Sequence, residues 1–264
     1  MKIICLVKFI PDVENIQFDQ KKNILMREKA KLKLNPDDEI ALAAALKVKE
    51  AAPETNVEIV TMGPEGVSRK FQDLLRRDVD RGTLISDPLY VGSDTYATSR
   101  IIGEFLKTRR ADCIFTGTHS LDGDTSHVPG QIAEILDIPQ MNNVITVNIE
   151  QLLQGKGLLE VNSEGDILQF QMKLPGIISF EKSREYKMPY IRYEDFQRDV
   201  RDKMEVLTNQ DLQLTEEEVG LSGSLTEVSR TFMKTMGKKE NITVKNDEEG
   251  IERVYQFLKE KEYI

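Results

Sequence analysis

Short apolar runs alternate with helix-period segments through the first 140 residues of this 264-residue chain, and no other feature narrows the fold as much. Ile3–Ile10, Asn56–Met62, Gly82–Ser86 and Ala111–Thr116 are runs of strand length. Between them, apolar residues recur at spacings of three and four. Ile40, Leu42, Ala43, Leu46 and Val48 form one such stripe, and Val67–Leu75, Thr98–Leu106 and Ser126–Leu136 carry three more. Strands separated by helices need crossover connections. The expected fold is therefore an α/β, doubly wound, mostly parallel sheet with helices on both faces. The first helix has a marked start: Asn35 suits the cap, Pro36 the first helical position, and Asp37, Asp38 and Glu39 the positive end of the dipole.

The pattern then changes. Val144–Ile149 reads as a strand. Leu158–Val161 and Ile167–Met172 flank the turn-rich 162–166, which predicts an antiparallel hairpin at the sheet edge. Gly176–Phe180 is one more short strand. Residues near 182–235 are polar and irregular and read as an extended arm, and Asp247–Ile264 closes as an amphipathic helix with Ile251, Val254, Tyr255 and Leu258 on one stripe. The expected division is a nucleotide-binding domain at 1–180 and a C-terminal arm with helices for partner contacts at 181–264.

Charge excludes several classes. With 36 basic and 45 acidic residues, the net charge of −9 argues against a dedicated nucleic-acid binder, which needs a basic face to displace counterions. Lys21–Lys33 is a local exception, a solvated loop or a patch for an anionic partner. No apolar stretch approaches bilayer length, and Met1–Ile10 is too short in its apolar part for a signal peptide. Cys5 and Cys113 lie inside apolar runs, so they read as buried thiols in adjacent strands rather than a disulfide framework or metal site. A cytoplasmic location is expected.

The usual dinucleotide, kinase, zinc-protease and serine-hydrolase motifs are absent. The informative stretch is Gly117–Gly130, GTHSLDGDTSHVPG, between a strand and a helix. In an open parallel sheet ligands bind beyond the carboxyl ends of strands, and a helix N-terminus there offers free N–H groups to a phosphate. Gly117 and Gly123 allow close backbone approach, and Thr125 and Ser126 offer hydroxyls. Asp122 and Asp124 are poor neighbours for a phosphate and suit capping of the loop's own amides. His119 and His127 are the chain's only histidines. A metal pair with Asp122 and Asp124 is conceivable, although the spacing matches no familiar ligand pattern. The loop points to a nucleotide or another phosphate ligand.

Six motifs occur in one order: Val7-Lys8-Phe9-Ile10-Pro11-Asp12, Asn35-Pro36-Asp37-Asp38-Glu39, Met62-Gly63-Pro64, Asp80-Arg81, Gly92 to Ser99, and Asp122-Gly123-Asp124-Thr125. Together they resemble the beta subunit of electron-transfer flavoproteins, closely over 1–180 and more loosely beyond. The resemblance implies a Rossmann-like core without the glycine fingerprint, an alpha-subunit partner, and electron transfer with a flavin-dependent dehydrogenase acting on acyl-CoA or a 2-hydroxyacid such as lactate. It implies a bound adenine nucleotide: FAD in electron-bifurcating members, which also use NAD(H) and a low-potential carrier such as ferredoxin, or AMP in housekeeping members. Carried over by motif, the nucleotide would contact Leu6, Asn35, Pro36, Asp37, Asp38, Met62, and Gly117, Thr118, His119 and Asp122 through Val128, with Thr125, Ser126, His127 and Val128 at the phosphates.

The Asp122–Thr125 core resembles bifurcating members, as does Gly223–Val228 followed by Phe232. Thr118, His119 and His127 stand where those members carry one Arg and two Gln, and Asp78-Val79-Asp80-Arg81 lacks that turn's usual Gly. The segment Glu181–Phe196, with Tyr186, Tyr190 and Tyr193, is expected to be exposed and to dock a dehydrogenase. A nucleotide-sensing module of the universal-stress or ATP-pyrophosphatase type is the competing class, but the phosphate-loop motif of neither is present.

Overall fold

The computed structural model describes residues 1–12, 18–19, 24–25, 31–227, 243–261 and 263, with backbone alone at 18–19 and 24–25. Most of the basic run Lys21–Lys33, and Val228 and Phe232, lie outside the described residues. The chain forms two units, Met1–Glu227 and Val228–Ile264.

The first unit is built on a nine-stranded sheet. Its strands are β1 (Lys2–Leu6), β2 (Asn56–Met62), β3 (Arg81–Ile85), β4 (Cys113–Gly117), β5 (Gln140–Val147), β6 (Lys156–Ser163), β7 (Asp166–Lys173), β8 (Ile177–Phe180) and β9 (Met204–Leu207). They lie in the order β7-β6-β5-β8-β4-β1-β2-β3-β9. Pairing is parallel from β5 through to β9. It is antiparallel between β5 and β6 and between β6 and β7.

Central strands buried on both faces read as continuous apolar runs, and β1 shows how two cores follow from one strand. Ile3 and Cys5 face one core, with helices α1 (Pro36–Ala51) and α2 (Ser68–Leu75). Ile4 and Leu6 face the other, with α3 (Thr95–Lys107) and α4 (Val128–Leu136). Helix α1 is itself largely buried, and Ala41, Ala43, Ala44 and Ala45 let its backbone approach the sheet closely. Cys5 and Cys113 are free, fully buried and on the adjacent strands β1 and β4.

The expected single strand Ile3–Ile10 divides in two. At Lys8 the backbone N–H leaves the sheet ladder for the Asp38 carboxylate, 2.8 Å away, and Phe9–Pro11 pairs instead with Leu32–Leu34. The hairpin β6–β7 turns through Glu164 and Gly165, both with positive φ (53° and 99°), which matches the right-handed twist of its strands. The arm after Phe180 adds short helical turns and a strand that its polar sequence did not signal: β9, which pairs with β3 and closes the far edge of the sheet.

Tyr186 corrects the reading of exposed aromatics. It is buried, its hydroxyl accepts the Val147 N–H at 2.9 Å, and its ring packs edge-on against Phe180. Tyr190 and Tyr193 are exposed. In the second unit, the helix Glu248–Glu260 is capped by Asp247, which accepts the Gly250 N–H at 2.8 Å. Among the described residues no helix is long and apolar enough to cross a membrane.

Candidate functional site

Strand order reverses at β1: β2 and β3 lie on one side of it, β4 on the other. Beyond the carboxyl ends of β1, β2 and β4, where doubly wound sheets bind ligands, a cavity of about 370 Å³ opens. Leu6, Val60, Met62 and Ile102 give it an apolar floor, and Gly117–Ser120, Gly123 and Thr125–Pro129 line it from the loop before α4.

Helix α1 sets the position of that loop. Asp38 is buried, and its two carboxylate oxygens accept the N–H groups of Lys8 (2.8 Å) and Gly117 (2.9 Å). One side chain thus ties together the ends of the two strands that flank the reversal. Burial pushes its carboxyl up to about 7, against the pull of those two N–H groups and of Asn35, with the neighbouring Asp37 charge adding to the rise.

Asn35 occupies the N-cap position of α1 but makes no side-chain cap, which corrects the expected role. Its amide is spent on the loop: Nδ2 donates to the His119 carbonyl at 2.7 Å and Oδ1 accepts the Leu121 N–H at 3.2 Å. Asp37 accepts the His119 N–H at 3.4 Å and meets the ring Nδ1 at 2.6 Å. Burial raises the Asp37 carboxyl, and the His119 contact opposes that rise. Lys8 reaches Asp122 (2.7 Å) and Ser120 (3.3 Å). Partial burial pushes Asp122 up, but the Lys8 ammonium, the Ser120 hydroxyl and the Gly123 N–H outweigh it and hold the carboxyl below the usual range.

Of the residues singled out from sequence, Leu6, Asp38, Met62, Gly117, Thr118, His119, Gly123, Thr125, Ser126, His127 and Val128 line the cavity. Asn35, Pro36, Asp37, Asp122 and Asp124 do not; Asn35, Asp37 and Asp122 brace the loop, Pro36 begins α1, and the Asp124 side chain is largely exposed. Thr118 lines the cavity with its hydroxyl already engaged by the Ser179 carbonyl and the Asn143 N–H, both at 3.2 Å. Among the described residues no group of three His, Cys, Asp or Glu could hold a metal ion.

Sequence reasoning passed over the opposite wall, formed by Ser93, Asp94, Thr95 and Thr98. Asp94 caps α3 by accepting the Ala97 N–H at 3.0 Å, and a Ser-Asp-Thr cap after the third strand was the available signal. The same carboxylate accepts the Thr226 N–H and hydroxyl, both at 2.9 Å, so the chain near Gly220–Thr226 is fastened to this wall.

The loop's chemistry suits an anion. Asp124 and Ser126 adopt left-handed φ of 49° and 55°. Among the described residues, the N–H groups of Thr125, Ser126 and His127 have no protein acceptor. They lie at the N-terminus of α4, where the dipole also favours negative charge. A Cβ built on Gly123 would meet nothing closer than the Ser120 Oγ at 3.9 Å, so the space beside this backbone is open. An apolar floor with unsatisfied donors at one rim fits a flat base joined to phosphate.

The electron transfer flavoprotein domain model matches residues 22–164. The chain is 30% identical to the electron transfer flavoprotein subunit beta of Thermoanaerobacterium thermosaccharolyticum over 268 residues, covering all of both chains. It is 31% identical to the caffeyl-CoA reductase-Etf complex subunit CarD of Acetobacterium woodii over 267 residues, again the whole of each. The acryloyl-CoA reductase electron transfer subunit gamma of Anaerotignum propionicum is 28% identical over 274 residues and both full lengths. By fold, by its crossover cavity and by these full-length likenesses, the chain belongs to the electron transfer flavoprotein family, as a beta subunit.

Proposed function

We propose that the cavity holds the adenine nucleotide end of a FAD, and that the chain works in the cytoplasm with an alpha subunit as one of two flavin-bearing halves of a bifurcating complex. In this reading electrons from NAD(H) are divided between a low-potential carrier such as ferredoxin and a flavin-dependent dehydrogenase. The flavin supplies the redox chemistry when bound. The chain's own residues bind and orient it: Leu6, Val60 and Met62 take the base, and the N–H groups of Thr125–His127 take the phosphates. Asp38 and Asn35 keep the loop at the carboxyl ends of β1 and β4.

The observation that carries the reading is the phosphate-receptive loop at the strand crossover, in a chain two of whose relatives are named as subunits of a caffeyl-CoA reductase-Etf complex and of an acryloyl-CoA reductase. The open space at Gly123 favours a pyrophosphate over a single phosphate. The dehydrogenase is expected to meet Glu181–Phe196, where Tyr190 and Tyr193 are exposed. The second reading, AMP as a structural ligand in a housekeeping carrier, draws on the cavity volume of about 370 Å³, low in the range for ligand sites.

Cofactor stoichiometry in the purified alpha–beta complex decides between them. Two FAD per heterodimer is expected. One FAD with one AMP would overturn the bifurcating reading.

A further inference from the structure

The two edges of the nine-stranded sheet are unlike. Strand β9 closes one edge with four residues, and its Glu205 meets Arg109 and Thr83. Strand β7 forms the other edge with eight residues, Asp166–Lys173. Between that acid and that lysine, Ile167 to Met172 carry no charge and no proline, and the register against β6 runs without a bulge. Short length, charge, proline and bulges are what keep a free edge from pairing with another chain. The middle of β7 has none of them.

The register decides what this edge presents. Glu164 and Gly165 alone join β6 to β7, so Ser163 and Asp166 form the first hydrogen-bonded pair. Bonding then alternates along the antiparallel pair. Leu168, Phe170 and Met172 bond to β6, and the N–H and C=O groups of Ile167, Gln169 and Gln171 point away from the sheet. Among the described residues no strand lies beyond β7, and no loop main chain bonds to those groups. Leu168 and Phe170 stand opposite Val161 and Leu159, on the face where Met172 joins the first core. They are 43% and 39% exposed, and Ile167 on the other face is 64% exposed. That core therefore runs out to the edge and stops uncovered. The chain leaves β7 through Leu174 and Pro175, which with Met1, Leu152 and Leu153 line a recess of about 380 Å³, a seat for an apolar anchor.

We propose that an edge strand of the alpha subunit completes β7, hydrogen-bonding to Ile167, Gln169 and Gln171. A core surface left open marks a permanent interface, which resembles a domain core cut in half, whereas transient interfaces are more polar. The chain's relatives are named as subunits, and the alpha subunit is the standing partner in the reading above. The mixed-charge segment Glu181–Phe196 is left for the transient dehydrogenase. Lys173 lies opposite Lys156, and Asp166 begins the strand. The strand that fits is thus apolar through its middle, with an acid near the two lysines and a cation near Asp166. The proposal rests on the alpha-subunit pairing and not on the cofactor.

Residue-resolved hydrogen exchange on the full chain, alone and with its alpha subunit, tests this. In the complex the amides of Ile167, Gln169 and Gln171 should slow by about tenfold or more, since a laddered N–H exchanges only through opening. The amides of Leu168, Phe170 and Met172 bond to β6 in both states and serve as the internal reference. Gln169→Pro removes one outward N–H and spares the bonds to β6. Ile167→Lys keeps the backbone and puts a charge on the edge, which guards against a proline that distorts the hairpin. Ile167→Lys should melt like the wild-type chain, and both variants should bind the alpha subunit about tenfold or more weakly. Unchanged exchange at the three outward amides on complex formation overturns the proposal. So does full-strength binding by both variants. Slow exchange at these amides in the isolated chain, together with sedimentation as a dimer, gives the edge to a second copy and overturns the alpha assignment. No complex with the alpha subunit at all removes the pairing itself, and the proposal with it.

Discussion

The side-chain amide of Asn35, at the first turn of α1, donates to the main-chain carbonyl of His119, 84 positions away, at 2.7 Å. A residue placed to cap its own helix instead fastens the loop that follows β4. Asn35→Asp keeps an acceptor for helix capping but loses this donor and leaves the His119 carbonyl without it. The unpaired acceptor costs about 1–3 kcal/mol, and the new carboxylate, buried beside Asp37 and Asp38, adds to the loss. Melting should fall by that order, and nucleotide retained through gel filtration should fall more steeply than in a variant of equal stability altered elsewhere.

Lys8 and Asp122 meet at 2.7 Å with side chains 48% and 33% exposed. Pairs this open to water contribute about 0–1 kcal/mol. Lys8→Gln should therefore barely shift urea unfolding. It should weaken nucleotide binding at low salt and reduce the salt dependence of the binding constant, since exposed charge interactions are screened.

The Asp38 carboxyl, held up to about 7 by burial, also makes stability depend on pH. An unfolded aspartate titrates near ~4. Between these values the folded state holds more protons, so the stability contributed by this group is present below the unfolded value and is lost as pH rises through about 7. Urea midpoints measured from pH 4.5 to 7.5 should decline with pH in the wild type, and Asp38→Asn should flatten that decline.

Asp78 sits at φ 66°, where the resembling turn carries glycine. Its carboxylate is 3.7 Å from Lys49 and largely exposed, so the ion pair offers little compensation. Asp78→Gly should raise stability by about 0.5–1 kcal/mol, the left-handed penalty removed less the entropy glycine adds to the unfolded chain. Thermal melts of the two proteins check the sign.

Tyr186→Phe leaves the ring against Phe180 but removes the acceptor of the Val147 N–H. A loss of about 1–3 kcal/mol is expected. Protease sensitivity should appear first in the segment after Phe180, because this hydroxyl pins it to β5.

The parallel core was legible because strands buried on both faces cannot alternate in polarity, so Ile3–Leu6, Asn56–Met62 and Cys113–Thr116 stood out as runs. The loop before α4 was legible because glycine, hydroxyl and acid cluster there. Strand β9 was not: Met204–Leu207 lies at an edge, no residue of it is buried, and its register comes from β3. Asn35 was misread because a cap-favouring residue is equally able to bridge outward, and local sequence cannot tell which acceptor is nearer. Tyr186 was misread because only the fold reveals the Val147 N–H waiting for its hydroxyl.

The double use of Asp94 has a consequence for the order in which the site comes into being. Every residue lining the cavity has been synthesised by Pro129, yet the α3 wall is fastened by Ser224 and Thr226. A nascent chain released as far as β8 would carry every cavity-lining residue around a wall still lacking its last tie. On the proposed nucleotide reading, firm retention of the ligand would be a late event in the life of the polypeptide, reached only when nearly the whole first unit has emerged.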